Sequence, residues 1–360
     1  MLWEEKPILV YCNFLLRLPP QDPIGARRGR DTVTIAHEDR LPRIRLDAAA
    51  LAEGARRGDR ACVARLLSLI EGGDEAARTA AASLTVHGGH AYTIGITGAP
   101  GVGKSSLTNR LIGVLRSLGD SVSVLAIDPS SPRSGGAILG DRVRMQRHGT
   151  DAGVFIRSMA TRGHLGGLAR TTSDAVDLLD AAGYDPVVVE TVGVGQDEVE
   201  VVRTADIVLV VLVPGMGDDI QALKAGVLEI ADVFVINKAD RPGADRLAAE
   251  LETMLELVDR GTRPRPAIVP TVAVRGDGTE ALCGAIDEFL ATTAVGRRSA
   301  RRRERAEARL LAVLSERLLA RVVERALPGG SIAELVDRIA ARDLDPYSAV
   351  ESLLARVEVR

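Results

Sequence analysis

The chain has 360 residues, of which 46% are hydrophobic and only 2% aromatic, so its core must be built from Val, Leu, Ile and Ala. The formal net charge of −3 argues against a dedicated nucleic-acid-binding protein. No apolar run reaches about 18 residues, which argues against a membrane span. Three distant cysteines without metal-ligand spacing favour the reducing cytoplasm.

The chain begins with a segment unlike the rest. Residues 1–45 are rich in proline and arginine, and we interpret them as a flexible leader with no assigned function. Helical periodicity begins near Asp47, and the apolar residues from Leu51 to Ile70 fit helical faces that are broken at Gly58-Asp59. A second helix is predicted at about Asp74–Thr85. We therefore predict an N-terminal helical block at residues 46–90.

Residues 91–295 alternate between short apolar runs and helical stretches. The runs are mostly β-branched and nearly uninterrupted, which is typical of parallel strands buried on both faces. The predicted strands are Tyr92–Thr97, Ser121–Ile127, Pro186–Glu190, Ile207–Leu212, Val233–Ile236 and Ala267–Val269. The predicted helices are Ser105–Leu118, Thr171–Ala182, Ile220–Glu229, Ala244–Val258 and Gly278–Leu290. This alternation predicts an α/β domain with a doubly wound, mostly parallel sheet that binds its ligands at the carboxyl ends of the strands.

A phosphate-binding motif follows the first predicted strand. The run Gly98-Ala99-Pro100-Gly101-Val102-Gly103-Lys104-Ser105 is a complete GxxxxGK[ST] motif, and a helix is predicted from Ser106 onward. Glycines allow backbone N–H groups to curl around phosphate oxygens, and the helix N-terminus adds its positive end. Lys104 is expected to reach the β- and γ-phosphates, and the Ser105 hydroxyl to bind Mg²⁺. The motif predicts a P-loop NTPase fold.

Three acidic residues are candidates for the metal side of the site. Asp128 ends the second predicted strand, Glu190 ends the third, and Asp141 lies in the long stretch between these two strands. An acid at a strand's carboxyl end can face a bound metal ion. From spacing alone, Asp128 could instead cap the next turn, and Asp141 could form a surface salt bridge.

A residue that orients the attacking water is harder to find. Gly193, three residues after Glu190, can sense the γ-phosphate, but the next residue is Val194 where small GTPases of the Ras type carry Gln. Gln196 lies nearby in sequence and is a candidate for orienting the attacking water. We therefore expect slow hydrolysis unless a partner completes the site.

The run Asn237-Lys238-Ala239-Asp240 is a guanine-reading NKxD motif at the end of a predicted strand. The Asp240 carboxylate can accept hydrogen bonds from guanine N1–H and the exocyclic amino group, whereas adenine presents an acceptor at N1. Asn237 shapes the loop and the Lys238 stem covers the ring. A third contact is expected from the loop after the last strand, where Ala273 can offer its N–H to guanine O6. Ala273 is flanked by Val274 and by Val272, which stands where a hydroxyl-bearing residue such as Ser is common.

Residues 296–360 are predicted to form a C-terminal helical extension. Its first helix, at about Arg297–Ala326, is rich in arginine, and two shorter helices follow at about Ser331–Ala341 and Asp345–Arg356. Interleaved glutamates and an apolar stripe favour a packed or dimer-forming helix over a nucleic-acid-binding one.

Together these motifs resemble the MeaB/ArgK family, the GTPase chaperones of methylmalonyl-CoA mutase. The resemblance covers roughly residues 47–345. It rests on the motifs at Gly98–Ser106, Ala126–Pro132, Ile138–Met145, Phe155–Met159, Arg162–Leu168, Glu190–Gln196 and Asn237–Asp240.

The resemblance implies more than the residues alone. It implies GTP and Mg²⁺ as ligands, and a chaperone that gates the loading of adenosylcobalamin, the partner's cofactor, into a cobalamin-dependent acyl-CoA mutase and protects that mutase. It implies metal-side roles for Asp128, Asp141 and Glu190. The run Pro214–Lys224 is similar to the family's extra switch loop, which makes Lys224 a catalytic candidate. The C-terminal helices are similar to the family's dimerisation arm and imply a homodimer.

Two other functions remain open from the sequence. A metallochaperone GTPase delivering nickel or cobalt would share the nucleotide motifs, but this chain has no His-rich or Cys-rich tract. An ATP-dependent kinase linked to amino-acid transport would share the phosphate loop, but the NKxD motif argues against ATP.

Overall fold

The computed structural model of the chain describes residues 47–128, 148–160, 167–191, 205–215, 230–257, 264–292, 295–327 and 332–358. The predicted leader at 1–45 and the predicted helix at Ile220–Glu229 lie outside these ranges. The candidates Asp141, Gln196 and Lys224 also lie outside them.

Three short helices open the described chain, at the places where the periodicity predicts helix. They are α1 (Ala48–Arg56), α2 (Arg60–Glu71) and α3 (Glu75–Ala82). Each begins after an aspartate, Asp47, Asp59 or Asp74, whose carboxylate accepts hydrogen bonds from first-turn N–H groups. These N-caps fix where each helix starts.

A seven-stranded sheet follows, and every pairing between its strands is parallel. Its strands are β1 (Thr93–Thr97), β2 (Val122–Asp128), β3 (Val154–Ala160), β4 (Val187–Thr191), β5 (Ile207–Leu212), β6 (Val233–Asn237) and β7 (Ala267–Thr271). The strand order is β3-β2-β4-β1-β5-β6-β7. The predicted doubly wound parallel sheet is thereby confirmed.

Strand β3 was not among the predicted strands. Its run of apolar residues is interrupted by Arg157 and Ser158, which is unlike the uninterrupted pattern of the inner strands. β3 lies at the edge of the sheet, where Arg157 donates hydrogen bonds to the Glu71 carboxylate at 2.7 Å and to the Ser68 hydroxyl at 3.1 Å, both on α2. A charged residue is tolerated there because α2 supplies its partner.

Helices cover both faces of the sheet. The remaining described helices are α4 (Lys104–Leu118), α5 (Gly167–Ala181), α6 (Ala244–Leu257), α7 (Thr279–Thr292), α8 (Val295–Ala326), α9 (Ile332–Ala340) and α10 (Pro346–Glu358). α4 and α7 form one hydrophobic cluster with the central strands. α1, α2, α3 and α5 form a second cluster with β2 and β4, and α6 forms a third with β5 and β6. Among the described residues, no helix is both long and apolar enough to span a membrane.

Arginine ion pairs join the long helix α8 to α5 and α3. Arg309 pairs with Asp174 at 2.5 Å and with Asp177, both on α5, and Arg317 pairs with Glu75 on α3 at 2.7 Å. Much of its apolar surface is exposed. The exposed leucines of α8 are Leu310, Leu311, Leu314, Leu318 and Leu319.

Candidate functional site

The candidate residues gather where the parallel strands end. Thr97 ends β1, Asp128 ends β2, Asn237 ends β6 and Thr271 ends β7, and Glu190 is the last residue but one of β4. Parallel strands place these ends at one edge of the sheet, which is where ligands bind in doubly wound folds. The sheet therefore brings the phosphate, metal and base candidates to one edge.

The phosphate loop needs glycine at defined positions. Gly98 has φ +142° and Gly103 has φ +100°, values that other residues rarely adopt. A Cβ atom at Gly98 would lie 2.3 Å from the carbonyl oxygen of Val211, and one at Gly103 would lie 2.4 Å from Nδ2 of Asn237. The loop thus packs directly against β5 and the base-reading motif.

Helix α4 begins at Lys104 directly after this loop, and the residue at its N-cap, Gly103, has no side chain to cap it. The N–H groups of a helix N-terminus point outward along the helix axis and can bind phosphate oxygens. The Lys104 side chain is 5% exposed, and its Nζ donates to the carbonyl oxygens of Gly98 at 2.6 Å and Ala99 at 3.0 Å. Its ammonium group is therefore held inside the curve of the loop.

A buried hydrogen bond joins the two metal candidates that the structure describes in full. The Ser105 hydroxyl donates to Oε1 of Glu190 at 2.6 Å, and the two residues are 8% and 1% exposed. In the sheet register Ala126 lies opposite Glu190 and Ile127 opposite Thr191, so the backbone of Asp128 follows at the same edge. Hydroxyl and carboxylate oxygens are the hard donors that Mg²⁺ prefers, so these residues fit that ion.

Among the described residues, no group of three or more His, Cys, Asp or Glu side chains could hold a metal ion. This does not conflict with a magnesium site, because Mg²⁺ commonly takes one or two protein ligands and completes its shell with water and phosphate oxygens. The role of Asp141 stays a prediction.

Asn237 connects the base-reading motif to both neighbouring loops. Its side chain is 2% exposed, Nδ2 donates to the carbonyl oxygen of Val102 at 2.7 Å, and Oδ1 accepts from the N–H of Ala273 at 3.0 Å. The next residue, Lys238, has φ +56° and its Nζ donates to the carbonyl oxygen of Gly101 at 2.8 Å. The phosphate loop and the base loop are therefore joined through one motif.

The side chain of Asp240 is 42% exposed, and its carboxylate oxygen Oδ2 lies 3.6 Å from Nη1 of Arg275. Sequence reasoning did not single out Arg275, which also pairs with Asp277 at 2.7 Å. Its spacing from Asp277, two residues away in the same turn, is the signal that could have found the pair. Asp240 is thus held by a cation and remains open to solvent.

The base loop after β7 differs in one respect from what we expected. The N–H of Ala273, which the sequence assigns to guanine O6, donates to Asn237, so a bound base must share or release this donor. Val272 is 6% exposed and Val274 is 73% exposed. Arg110 of α4 donates to the carbonyl oxygens of Ala273 at 3.0 Å and Val274 at 2.6 Å.

A cavity of about 720 Å³ lies between α4 and the turn that precedes α7. Its lining includes Arg110, His148 and Thr279, but none of the phosphate-loop residues. It is therefore beside the base loop and separate from the Ser105–Glu190 pair.

The family model described as methylmalonyl-CoA mutase-associated GTPase MeaB matches residues 63–326 of the chain. A protein of Pyrococcus abyssi is 49% identical over 313 residues, which cover 85% of this chain and 96% of that protein. The GTPase ArgK of Escherichia coli is 37% identical over 264 residues, covering 70% of this chain and 80% of ArgK.

The mouse protein named methylmalonic aciduria type A homolog, mitochondrial, is 36% identical over 254 residues, covering 66% of this chain and 61% of its own length. A solved structure described as a LAO/AO transport system kinase superposes with a TM-score of 0.63 at 26% identity, covering 86% of this chain and 97% of that one.

Proposed function

The chain belongs to the MeaB family of methylmalonyl-CoA mutase-associated GTPases, and on that premise we propose that it is the chaperone of a cobalamin-dependent acyl-CoA mutase. It hydrolyses GTP, as its family does. In the proposed cycle, hydrolysis gates the loading of adenosylcobalamin into the mutase and protects the loaded enzyme. Methylmalonyl-CoA mutase is the client that the family description favours.

One observation carries the proposal. The family match runs from residue 63 to residue 326, so it includes most of α2, all of α3 and all of α8 as well as the sheet. A match to the nucleotide fold alone would end near the last sheet helix, α7. The chain therefore shares α2, α3 and α8, as well as its nucleotide fold, with proteins described as mutase-associated. These helices provide surface beyond the nucleotide site that a client could bind.

The phosphate site supports binding of GTP·Mg²⁺. The phosphate loop and the N-terminus of α4 would hold the β- and γ-phosphates with Lys104, and Ser105, Asp128 and Glu190 would hold Mg²⁺ together with Asp141. When bound, Mg²⁺ supplies positive charge beside the phosphate oxygens where negative charge develops. The buried hydrogen bond between Ser105 and Glu190 places two of these oxygens side by side.

Guanine selection is proposed for Asp240, with Lys238 over the ring and the loop of Val272, Ala273 and Val274 at the other edge of the base. The carboxylate matches the two donors of guanine and leaves adenine mismatched. Gln196 and Lys224 are proposed to support hydrolysis, since Val194 has no polar group to orient water. Slow hydrolysis without a client follows from that substitution.

A homodimer is part of the proposal. Five leucines of α8 are 48–67% exposed, and a contiguous apolar stripe of this kind marks a protein-binding surface. The arginine-rich helix is then a dimerisation arm, in keeping with the interleaved glutamates that argue against nucleic acid. Mutase binding and nucleotide binding would be coupled in this dimer. A mutase that binds one nucleotide state more tightly would shift the balance between the GTP-bound and GDP-bound states toward that state.

The metallochaperone and kinase alternatives are not favoured by any described feature. The sequence has no His-rich or Cys-rich tract for nickel or cobalt. A kinase would have to prefer ATP, which the Asp240 carboxylate disfavours. Competition of ATP against a fluorescent GDP analogue measures this preference directly.

A capture experiment tests the chaperone. The chain, loaded either with GDP or with a non-hydrolysable GTP analogue, is immobilised and exposed to purified methylmalonyl-CoA mutase and isobutyryl-CoA mutase. We expect at least one mutase to bind with affinity that depends on the nucleotide, and transfer of adenosylcobalamin, followed by its absorbance, to depend on GTP. Lys104→Ala, which should not hold nucleotide, is expected to lose the difference. Binding of neither mutase in any nucleotide state would contradict the proposal.

A further inference from the structure

The loop that reads the O6 edge of guanine has no hydroxyl of its own at Val272 to hold it in shape. Val272 is 6% exposed, and its side chain can neither donate nor accept a hydrogen bond. The turn is closed by backbone hydrogen bonds from the Val272 N–H to Asp277 and from the Gly276 N–H back to Val272. These bonds shape the turn but do not attach it to the phosphate side of the site.

Arg110 makes that attachment. Its Nε donates to the carbonyl oxygen of Ala273 at 3.0 Å, and its Nη2 donates to that of Val274 at 2.6 Å. A guanidinium fork donating to two successive carbonyls fixes both the position and the orientation of that backbone segment. The Arg110 stem also lies against Gly276, where a Cβ atom would meet Cδ at 3.9 Å.

Arg110 lies on α4, the helix that begins directly after the phosphate loop. It lies six residues after Lys104 in α4, so the helix connects it to the N-terminus that receives the phosphates. On its other side, the Ala273 N–H meets Asn237, and Asn237 returns to the phosphate loop at Val102. The base loop is therefore held from two directions, by Arg110 through its carbonyls and by Asn237 through the Ala273 N–H. Since a bound base must share or release that N–H, Arg110 is the contact for which the base does not compete.

We infer that Arg110 is a positioning residue for guanine recognition: it holds the Ala273–Val274 backbone where it reads the O6 edge of the base. The inference rests on the proposed base reading by Asp240 and Ala273. It is independent of which mutase is the client. Arg110 acts through the loop and need not touch the nucleotide.

Two nucleotides with single-atom changes separate the two edges of the base. 6-Thioguanosine diphosphate changes only the atom at position 6, which the Arg110-held loop reads, and inosine diphosphate lacks only the 2-amino group, which Asp240 reads. Dissociation constants for GDP, 6-thio-GDP and IDP are measured for the wild type, Arg110→Ala and Arg110→Lys. Arg56→Ala is the control, because Arg56 is an exposed residue of α1 paired only with Glu53 in the described contacts.

Arg110→Ala is expected to weaken GDP binding by about tenfold or more, the range for lost hydrogen bonds to a charged group. The preference for GDP over 6-thio-GDP should shrink, while the preference for GDP over IDP should remain. KM for GTP should rise with little change in kcat, since the phosphate and metal groups are untouched. Arg110→Lys should show the same changes to a smaller degree, because one ammonium group can replace only part of the two-pronged guanidinium contact.

Each outcome is decisive. If wild type does not distinguish GDP from 6-thio-GDP or IDP, the base-reading proposal fails. If wild type distinguishes them and both Arg110 variants keep the same ratios as Arg56→Ala, the role of Arg110 is refuted. An equal loss for all three diphosphates would also refute it, since a purely structural residue would act in that way. Should Arg110→Ala fail to fold, Arg110→Lys, which keeps the charge and the stem, carries the test alone.

Discussion

Asn237 uses both ends of its carboxamide inside the protein. Its amide group bonds the phosphate loop at Val102 and its oxygen bonds the base loop at Ala273, so its first role is to connect the two loops. Removing one partner of a buried hydrogen bond leaves the other unsatisfied. The NKxD motif therefore has one residue, Asn237, that joins the two loops, and we propose that another, Asp240, selects the base.

Replacing Asp240 by Asn should weaken guanine selectivity. The amide cannot accept both guanine donors, but its N–H group can pair with the extra carbonyl oxygen of xanthine. We expect GDP binding to fall by roughly tenfold or more, and XDP binding to improve, in a fluorescent-nucleotide titration. Asp245→Asn, an exposed acid at the start of α6, should leave both constants unchanged; parallel losses in the two variants would contradict the assignment.

At this scale the sequence predicts chemistry better than contacts. Lys104, Ser105, Asp240 and Glu190 could be found because a short motif defines each one, and Ser105 and Glu190 do lie in hydrogen-bond contact. Arg110 could not be found in this way. Its partners are 163 and 164 residues away in sequence, and they are backbone carbonyls, which no residue type reveals.

Among the elements, α4 is fixed at its far end by an ion pair with the segment that leads into β3. Arg116 donates from Nε and Nη2 to the Asp151 carboxylate, each at 2.9 Å, and the Gly153 N–H donates to the same carboxylate at 2.8 Å. The guanidinium, and then the Gly153 N–H, hold the pKa of Asp151 below its usual range. The helix of the phosphate grip is thus tied down at both ends.

Asp151→Asn should reveal this contact through its pH dependence. A carboxylate whose pKa is lower in the folded state stabilises the fold above its unfolded pKa of about 3.9, and this contribution is lost as pH falls through the folded pKa. The variant should therefore melt at a lower temperature than wild type at pH 7, and the gap should narrow below about pH 4. Asp337→Asn on the exposed face of α9 is the control, and a gap that persists unchanged in acid would contradict the ion-pair explanation.

The N-terminal helices share a hydrophobic core with the sheet. Leu66 of α2 is fully buried and clusters with residues of β2, β4 and α5. Leu66→Ala should lower the free energy of unfolding by about 2–5 kcal/mol, measured by urea titration. Val86→Ala, at a side chain that is 81% exposed, should have little effect. A separate early transition of the N-terminal helices would show that they do not unfold with the sheet.

Strand prediction succeeded for the fully buried strands and for the edge strand β7, and failed at the other edge strand, β3. β1, β4, β5 and β6 are buried at every position, so their sequences are mostly apolar, with polar residues only at or next to the strand ends. β3 has a charged residue whose partner lies on α2, and that tertiary compensation is invisible in a local pattern.

For the whole molecule, the apolar stripe of α8 predicts a self-associating chain. Leu314 and Leu318 are four residues apart, so they share a face of the helix, and they are 48% and 52% exposed. We expect the wild type to sediment as a dimer and the double variant Leu314→Asp with Leu318→Asp to sediment as a monomer. Leu257→Asp, at an 83% exposed leucine of α6, should remain dimeric, and a wild type that sediments as a monomer would refute the dimer.

The overall architecture could be predicted from alternating strand and helix patterns because each pattern reports burial on the sheet. The predicted domain limits at 45, 90 and 295 stay predictions. The helices before residue 90 pack in the same hydrophobic cluster as β2 and β4. A boundary read from a change in periodicity does not reveal how two segments pack.

Arg309 and Arg317 attach α8 to two different helices, α5 and α3. The two arginines are eight residues apart, which is about 12 Å along the helix at 1.5 Å per residue. Ala326, the last residue of the helix, accepts a hydrogen bond from Arg356 of α10. Because these attachments are spread along α8, the helix ties α3, α5 and α10 together, and a shift of α5 relative to α3 would have to break an ion pair or carry α10 with it.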